Sequence, residues 1–186
     1  MNVNVRHLLM MLFKASGGKV NSKTKIQKEI YLISIKLGID LKFKPHYYGP
    51  YSPEVEQGLD ELIGAGFIGM TRKFFGIDID RGFEFKRYDF EFTESGKKLS
   101  ELLKEDKLDE YQEIEGFIKE LNKMGDPDYL TLSIAAKAYF ILDKEDKPMN
   151  SNAIKERAIL FGWNITDEDI DKAIDILSNF NFVKQK

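Results

Sequence analysis

The sequence predicts an α+β protein in which helices predominate. Apolar residues recur at helical spacing in several separate segments, and two further segments have the aromatic-rich composition of paired strands. A glycine, a proline or a capping residue stands at most of the boundaries between these segments. The length of 186 residues suits one domain of ordinary size or two small ones.

The first helix is predicted from an apolar stripe with helical spacing, and Gly17-Gly18 ends it. The stripe consists of Val5, Leu8, Leu9, Leu12 and Phe13. The second helix is expected to begin after an N-cap at Ser22 and to run to about Leu37, where Gly38 stops it. Its apolar side chains leave another face to lysines, and we expect that face to be exposed to solvent.

A third helix should run from Pro53 to about Ala65. Pro53 suits the first helical position, and Ser52 stands where an N-cap belongs. Gly66 is expected to end the helix in the left-handed conformation. Two strands follow, at about 67–75 and 83–92, and then a short helix that Thr93 caps.

Three helices followed by a two-stranded hairpin are the element order of a winged helix, a variant of the helix-turn-helix. We therefore expect a winged-helix domain over residues 1–104, with the hairpin as its wing. A linker helix should occupy residues 105–126. A helical domain that resembles a winged helix without a wing should occupy residues 127–186.

The C-terminal region repeats part of the N-terminal pattern at an offset of 115 residues. Val55, Leu59, Leu62, Gly66, Phe67 and Ile68 match Ile170, Ile174, Leu177, Asn181, Phe182 and Val183. Asn181 corresponds to Gly66, and asparagine is second to glycine in its tolerance of the left-handed conformation. Ser151 is expected to cap a helix of this region, and Thr166 with Asp169 predicts a capping box before the last helix. We interpret the pattern as a structural repeat.

The stretch from His46 to Pro53 joins the second helix to the third and contains three tyrosines, Tyr47, Tyr48 and Tyr51. We call residues 39–52 the corner loop. Tyrosine commonly buries its ring and leaves its hydroxyl on a partner or on water, so we expect the three rings to buttress the core. The alternative is that they face a binding partner.

Two stretches of this sequence resemble a known family. They read KTKIQKEIYLI and HYYGPYSPEVEQGLDELIGAGFI, and they are similar to the Panacea (SocA-type antitoxin) domain and to YwgA-like proteins over about residues 5–100. The shared features are a K-x-Q-K-x-x-Y core, here Lys25, Gln27, Lys28 and Tyr31, and a YGPYS corner, here 48–52. The resemblance implies a winged-helix-like fold with an interaction or regulatory role, and it supplies no catalytic residues.

Charge is distributed unevenly along the chain. Residues 1–53 contain nine Lys or Arg and two carboxylates, a net charge of 9 − 2 = +7, while the rest contains 19 basic and 29 acidic residues. Such a segment suits an anionic partner. We therefore predict that double-stranded DNA is bound through phosphate contacts, in a transcription-regulating role. The residues expected to bind DNA are Lys23, Lys25, Lys28 and Lys36 of the second helix and Arg72, Lys73, Arg81, Lys86 and Arg87 of the hairpin.

The third helix carries acidic residues and no Lys or Arg, which disfavours its use as a recognition helix. This observation supports the alternative, a protein-interaction module of antitoxin-like or adaptor type. Its expected partner-binding residues are Tyr47, Tyr48, Tyr51 and Glu54. The linker helix can also carry a dimer contact, so a homodimer is a further alternative.

Little in the chain indicates catalysis. It has no cysteine and only two histidines, and no metal-binding spacing or phosphate-binding loop is present. We predict a protein that is not an enzyme and has no cofactor or metal. No signal peptide or apolar run long enough for a membrane is found in the sequence, so we expect a cytoplasmic protein without a membrane partner.

Overall fold

The structure is a computed structural model that describes the backbone of residues 4–78 and 83–183, and the side chains of those residues other than 75–86. The part of the chain that it describes is mostly helical, with one small antiparallel sheet, as predicted. The helices are α1 (Val5–Ala15), α2 (Lys23–Leu37), α3 (Pro53–Gly64), α4 (Glu94–Asp106), α5 (Leu108–Lys123), α6 (Tyr129–Glu145), α7 (Ser151–Leu160) and α8 (Asp167–Asn179). The strands are β1 (Lys19–Asn21), β2 (Ile68–Asp78) and β3 (Phe83–Phe92).

The sheet has the strand order β1-β3-β2, with β3 in the middle. The hairpin of β2 and β3 was predicted, but β1 was not. β1 has only three residues and lies between Gly17-Gly18 and the N-cap Ser22, so it is too short to show an alternating pattern. Its central residue Val20 pairs with Phe90 and is buried, which attaches the sheet to the helical core.

α1 lies in the middle of the N-terminal part and packs against α3, α4 and α5. Because several elements surround it, Met10 and Met11 are buried along with the predicted stripe. The approach to α3 is close at Gly58, where a Cβ atom would lie 2.9 Å from Val5 Cγ1 and 3.2 Å from Leu9 Cδ1. A side chain at position 58 would therefore force the two helices apart.

One buried apolar cluster extends through the described part of the chain, from α1 to α8. α5 packs along α1, and α6 packs against both α2 and α8. Tyr31 of α2 contacts Phe43 of the corner loop and Tyr139 and Phe140 of α6, with ring centroids 4.8, 6.4 and 6.5 Å apart. The core thus crosses the predicted boundaries at residues 104 and 127.

α3 and α8 end with the same backbone geometry at the predicted offset of 115 residues. Gly66 and Asn181 have φ values of 76° and 56°, in the left-handed region. The N–H of Phe67 donates to the Leu62 carbonyl at 3.0 Å, and the N–H of Phe182 donates to the Leu177 carbonyl at 2.9 Å. The left-handed stops are confirmed, although a strand follows only the first of them within the described residues.

Two of the predicted caps differ from the structure. Ser52 precedes α3 but makes no capping hydrogen bond, because its hydroxyl donates to the Leu41 carbonyl at 2.7 Å. Asn150, rather than Ser151, caps α7. The capping box of Thr166 and Asp169 is present as predicted. No helix of the described residues has the length and apolar character needed to cross a membrane.

Candidate functional site

Two side chains of α2 hold the corner loop in place. The Gln27 amide donates to the Ser52 carbonyl and accepts from the Ser52 N–H, both at 3.0 Å, and Ser52 is fully buried. Next to it, the Lys28 ammonium donates to the Pro50 carbonyl at 2.6 Å. Gln27 and Lys28 of the K-x-Q-K motif therefore fix the backbone of the YGPYS corner.

The second half of the chain supports the same loop from the other side. The Trp163 indole N–H donates to the His46 carbonyl at 2.7 Å, and the ring itself is buried. Gly49 has a φ of 95°, and a Cβ atom there would lie 3.0 Å from Lys137 Cγ and 3.3 Å from the Ser133 carbonyl of α6. Only glycine fits this position, because both the backbone conformation and the neighbouring atoms exclude a side chain.

The tyrosine rings do not buttress the core as expected. Tyr47 and Tyr48 are 73% and 45% exposed and pack edge to face on each other, with ring centroids 4.9 Å apart. Tyr51 is half-buried, and its hydroxyl donates to the Glu56 carboxylate. The expectation of buried rings fails because α6 and Trp163 already occupy the space beneath the loop.

A groove of about 140 Å³ lies between the N-terminal half of α2, the corner loop and α3. Its apolar wall is formed by Ile26, Val55 and Leu59. Its polar and aromatic lining residues are Lys23, Thr24, Gln27, Lys28, His46, Tyr48, Tyr51 and Glu56. The groove therefore combines an apolar surface with a buried ammonium group.

Lys28 and Lys137 are both buried at the base of the corner loop, with exposed fractions of 2% and 9%. Within the described residues neither has a carboxylate within 4.0 Å, although the Lys137 ammonium lies over the Trp163 ring at 5.6 Å. Burial and the neighbouring charge of Lys137 lower the pKa of Lys28 to about 7. Burial also lowers the pKa of Lys137.

The basic face predicted on α2 is not the exposed surface that was expected. Lys28 is buried and lies apart from the other three lysines, which form ion pairs. Lys23 pairs with Glu56 and Asp60, Lys25 with Asp126 at 2.6 Å, and Lys36 with Glu113 at 2.9 Å. Helical spacing alone could not reveal this arrangement, because the carboxylates come from α3, from α5 and from the turn after α5.

Two basic residues of the hairpin form ion pairs of their own. Lys73 and Arg87 are opposite each other in the register of β2 and β3, and both form ion pairs with Asp89, at 2.7 and 2.9 Å. Arg72 is exposed on the neighbouring position of β2. Arg81 lies outside the described residues, as does the side chain of Lys86.

The carboxylates of α3 are largely neutralised as well. Glu61 pairs with Arg6 of α1, and Asp60 shares Lys23 with Glu56. Glu54 is exposed and has no ion pair with any described residue. The acidic helix is therefore less negative as a surface than its sequence indicates.

A second, more polar cavity of about 130 Å³ lies where α2, β1 and the end of α5 meet. Glu29 lines it and is almost fully buried, with one carboxylate oxygen that has no hydrogen-bond partner among the described residues. Burial raises the pKa of Glu29 to about 8. Lys25 lies 3.9 Å from it, too far for a hydrogen bond, and is engaged with Asp126 instead.

Sequence reasoning found the corner loop but missed the residues that hold it. Gln27 was noted only as part of a motif, Lys28 was predicted to bind DNA rather than to hold the loop, and nothing in the sequence marked Lys137 or Trp163. The signal for Gln27 and Lys28 is two polar residues inside an otherwise apolar helical stripe. Among the described residues no group of three His, Cys, Asp or Glu side chains could hold a metal ion.

The chain is similar to the uncharacterised protein YwgA of Bacillus subtilis (strain 168), with 26% identity over 172 residues. The match covers 92% of this chain and 93% of YwgA. It therefore extends well beyond residues 5–100, to which the sequence resemblance had been confined. No family model matches the chain.

Proposed function

We propose that this protein is a non-enzymatic interaction module of antitoxin-like or adaptor type, which binds a protein partner through the corner loop. The observation that carries the proposal is the pair of exposed rings, Tyr47 and Tyr48, on a loop whose backbone is held at Pro50, Ser52 and His46. Tyrosine is enriched in binding hot spots, and a loop that is already ordered loses little entropy on binding.

The resemblance to SocA-type antitoxin domains supports such a role, as does a winged-helix interpretation of the N-terminal part. The order α1, β1, α2, α3, β2, β3 and a sheet in which β1 pairs with β3 favour that interpretation. Winged helices bind proteins as well as DNA. The internal pairing of the α2 lysines favours a protein partner, because those lysines would have to release their carboxylates to contact phosphates.

The test is affinity capture with matched variants, using a lysate of the source organism. The variant Tyr47→Ser/Tyr48→Ser should lose the captured protein. Phe74→Ser is the matched control, because Phe74 is a comparably exposed aromatic residue, 56% accessible. It lies on the hairpin and not on the corner loop, so this variant should retain the captured protein. Equal capture by the wild type and the double tyrosine variant would contradict the proposal.

Duplex DNA is a second candidate partner, and the hairpin carries the observation that favours it. Arg72, Lys73 and Arg87 occupy adjacent and opposite positions of β2 and β3. Three phosphate contacts would give a salt dependence with a slope of about −2.7 in log K against log salt.

The DNA hypothesis can be tested by fluorescence anisotropy with a labelled duplex across a range of salt concentrations. The triple variant Arg72→Gln/Lys73→Gln/Arg87→Gln should lose that slope, whereas Lys42→Gln/Lys44→Gln on the corner loop should keep it. If the wild type binds no duplex even at about 50 mM salt, where non-specific contacts are strong, DNA is excluded as a partner of the hairpin.

A further inference from the structure

The groove beside the corner loop contains the buried ammonium group of Lys28, and no carboxylate among the described residues pairs with it. Lys28 is 2% exposed, and its hydrogen bond goes to the neutral carbonyl of Pro50. Burying a charge costs several kcal/mol unless a counter-ion accompanies it. The hydrogen bond fixes the Pro50 carbonyl but supplies no counter-charge, so the lysine calls for a role beyond packing and loop support.

The neighbouring charges make this position more favourable for an anion. Lys137 is also buried there: a Cβ atom at Gly49 would lie 3.0 Å from Lys137 Cγ and 3.4 Å from Lys28 Cε, so two buried lysines meet at the same turn. Lys23 and His46 line the groove. Its one carboxylate, Glu56, is already bound by the Tyr51 hydroxyl and by Lys23, and it has no ion pair with Lys28 among the described residues.

The corner loop brings positive charge to one side of the groove, whereas the α3 side carries Glu56 and, beyond it, Asp60 and Glu61. Lys42 and Lys44 of the corner loop are exposed and form no ion pairs with described residues. Asp40 is the one carboxylate in residues 39–52. In contrast, Arg6, Lys14, Lys23, Lys25 and Lys36 are all paired with carboxylates from beyond residue 53. The corner loop thus retains positive charge that most of the N-terminal segment has lost.

We propose that the groove receives a glutamate side chain from an acidic segment of a partner protein, and that its carboxylate pairs with the ammonium of Lys28. The two methylenes of a glutamate match the apolar wall of Ile26, Val55 and Leu59. Lys42 and Lys44 contact flanking acidic residues, and the rings of Tyr47 and Tyr48 pack on the bound segment. This inference rests on the proposed function and adds the chemistry of the partner.

The glutamate interaction is tested with two fluorescein-labelled peptides that have blocked termini. One alternates glutamate with leucine and tyrosine over twelve residues, and the other has glutamine at every glutamate position. The acidic peptide should bind at least about thirtyfold more tightly, which is the effect expected for a desolvated charge pair. Equal affinities, or no binding of the acidic peptide at about 1 mM, would overturn the proposal.

Two variants assign the effect to Lys28 and to the loop. Lys28→Met should abolish the preference for the acidic peptide, and Lys42→Gln/Lys44→Gln should weaken its binding and reduce the dependence on salt. Lys19→Gln is the matched control, since Lys19 is also exposed and has no ion pair with described residues, but lies on β1. If Lys28→Met folds, as judged by circular dichroism, and binds like the wild type, the proposal fails.

Proton uptake by the wild type gives a test that does not depend on a folded variant. Burial and Lys137 lower the pKa of Lys28 in the free protein, and a bound carboxylate beside Lys28 would raise that pKa again. Binding at pH 8 should therefore take up close to one proton, and binding at about pH 6 almost none. Calorimetry at each pH, in two uncompeting buffers that differ in enthalpy of ionisation, measures this uptake. Because His46 lines the same groove, the measurement is repeated with His46→Gln.

Further probes separate this inference from the proposed function. A partner captured through Tyr47 and Tyr48 but unaffected by Lys28→Met would leave the interaction module intact and remove the glutamate contact. If 4-methylpentanoate alone binds as tightly as the acidic peptide, the groove serves a free acid and the inference is wrong. If single-stranded dT12 binds more tightly than the peptide, the ligand is a nucleic acid, which overturns the proposal.

Discussion

Ser52 shows how buried backbone groups in the corner loop depend on one side chain. Its N–H and carbonyl both bond the amide of Gln27, away from solvent. The substitution Gln27→Ala would leave the buried Ser52 N–H without this bond, at a cost of about 1–3 kcal/mol, while the carbonyl keeps the Glu56 N–H at 3.3 Å. We expect urea unfolding to show a loss of roughly 1–3 kcal/mol. Gln57→Ala, which removes an exposed amide of α3, should change stability by less than about 0.5 kcal/mol.

Glu29 should make the stability of the protein depend on pH. Its pKa is raised in the folded state to about 8 from an ordinary value of 4.5, so the native protein binds the proton more tightly than the unfolded chain. Stability should therefore fall as pH rises between those two values and change little above about pH 8, with a slope of at most about 1.4 kcal/mol per unit.

The variant Glu29→Gln removes this titration and keeps the size of the side chain. Its stability relative to the wild type should increase steadily from about pH 5 to about pH 8, measured by urea unfolding at each pH. Asn152→Ala, at an exposed position of α7, should follow the wild-type profile. A constant difference between Glu29→Gln and the wild type would show that Glu29 keeps its ordinary pKa.

At the level of elements, the helix stops were the most predictable feature of the chain. Gly38, Gly66 and Asn181 adopt the left-handed conformation as their residue types indicated. The helices themselves could be predicted from the spacing of apolar residues, because the residues that pack into the core repeat with the helical period. β1 was not predicted, because three residues are too few to show the alternation of a strand. Its pairing with β3 also depends on residues that are distant in sequence.

The stop of α3 allows a test in which the same substitution has opposite effects at two glycines. A Cβ atom at Gly66 would meet nothing within 4 Å, so Gly66→Ala acts only through the backbone, whose φ is 76°. It should cost about 1–2 kcal/mol. Gly116→Ala, inside α5 and equally open, should stabilise the protein by about 0.5–1 kcal/mol. Thermal unfolding of both variants measures the effect, and a loss of stability at both positions would contradict this explanation.

Across the whole molecule, much of the positive charge of residues 1–53 is used in ion pairs with later parts of the chain. Five of the nine basic residues in 1–53 pair with carboxylates beyond that segment, for example Lys14 with Glu101 and Lys36 with Glu113. A sum along the sequence cannot detect such pairing, since it depends on which helices become neighbours. For the same reason the candidate site was predicted only in part: the tyrosines were identifiable, but their exposure depends on α6 and Trp163.

The shared core also predicts that the two halves unfold together. Trp163 lies in the second half, yet its indole bonds the His46 carbonyl of the first, and α6 packs on α2. Fluorescence of Trp163, the one tryptophan, should therefore change at the same urea concentration as the helical circular dichroism, which reports on the whole chain. Two separated transitions would show instead that the boundary near residue 127 divides independent domains.

The hydrogen bond of Trp163 allows the coupling between the two halves to be tested with a single substitution. Trp163→Phe keeps an aromatic ring against Phe140 and Phe161 but removes one of the two donors to the His46 carbonyl, which keeps the Gly49 N–H at 2.8 Å. Loss of the bond and of some packed volume should lower stability by about 1–3 kcal/mol. If the halves are coupled, circular dichroism of the variant should keep one transition at a lower midpoint. If only part of the circular dichroism signal shifts to a lower midpoint, the two halves are not coupled through this contact.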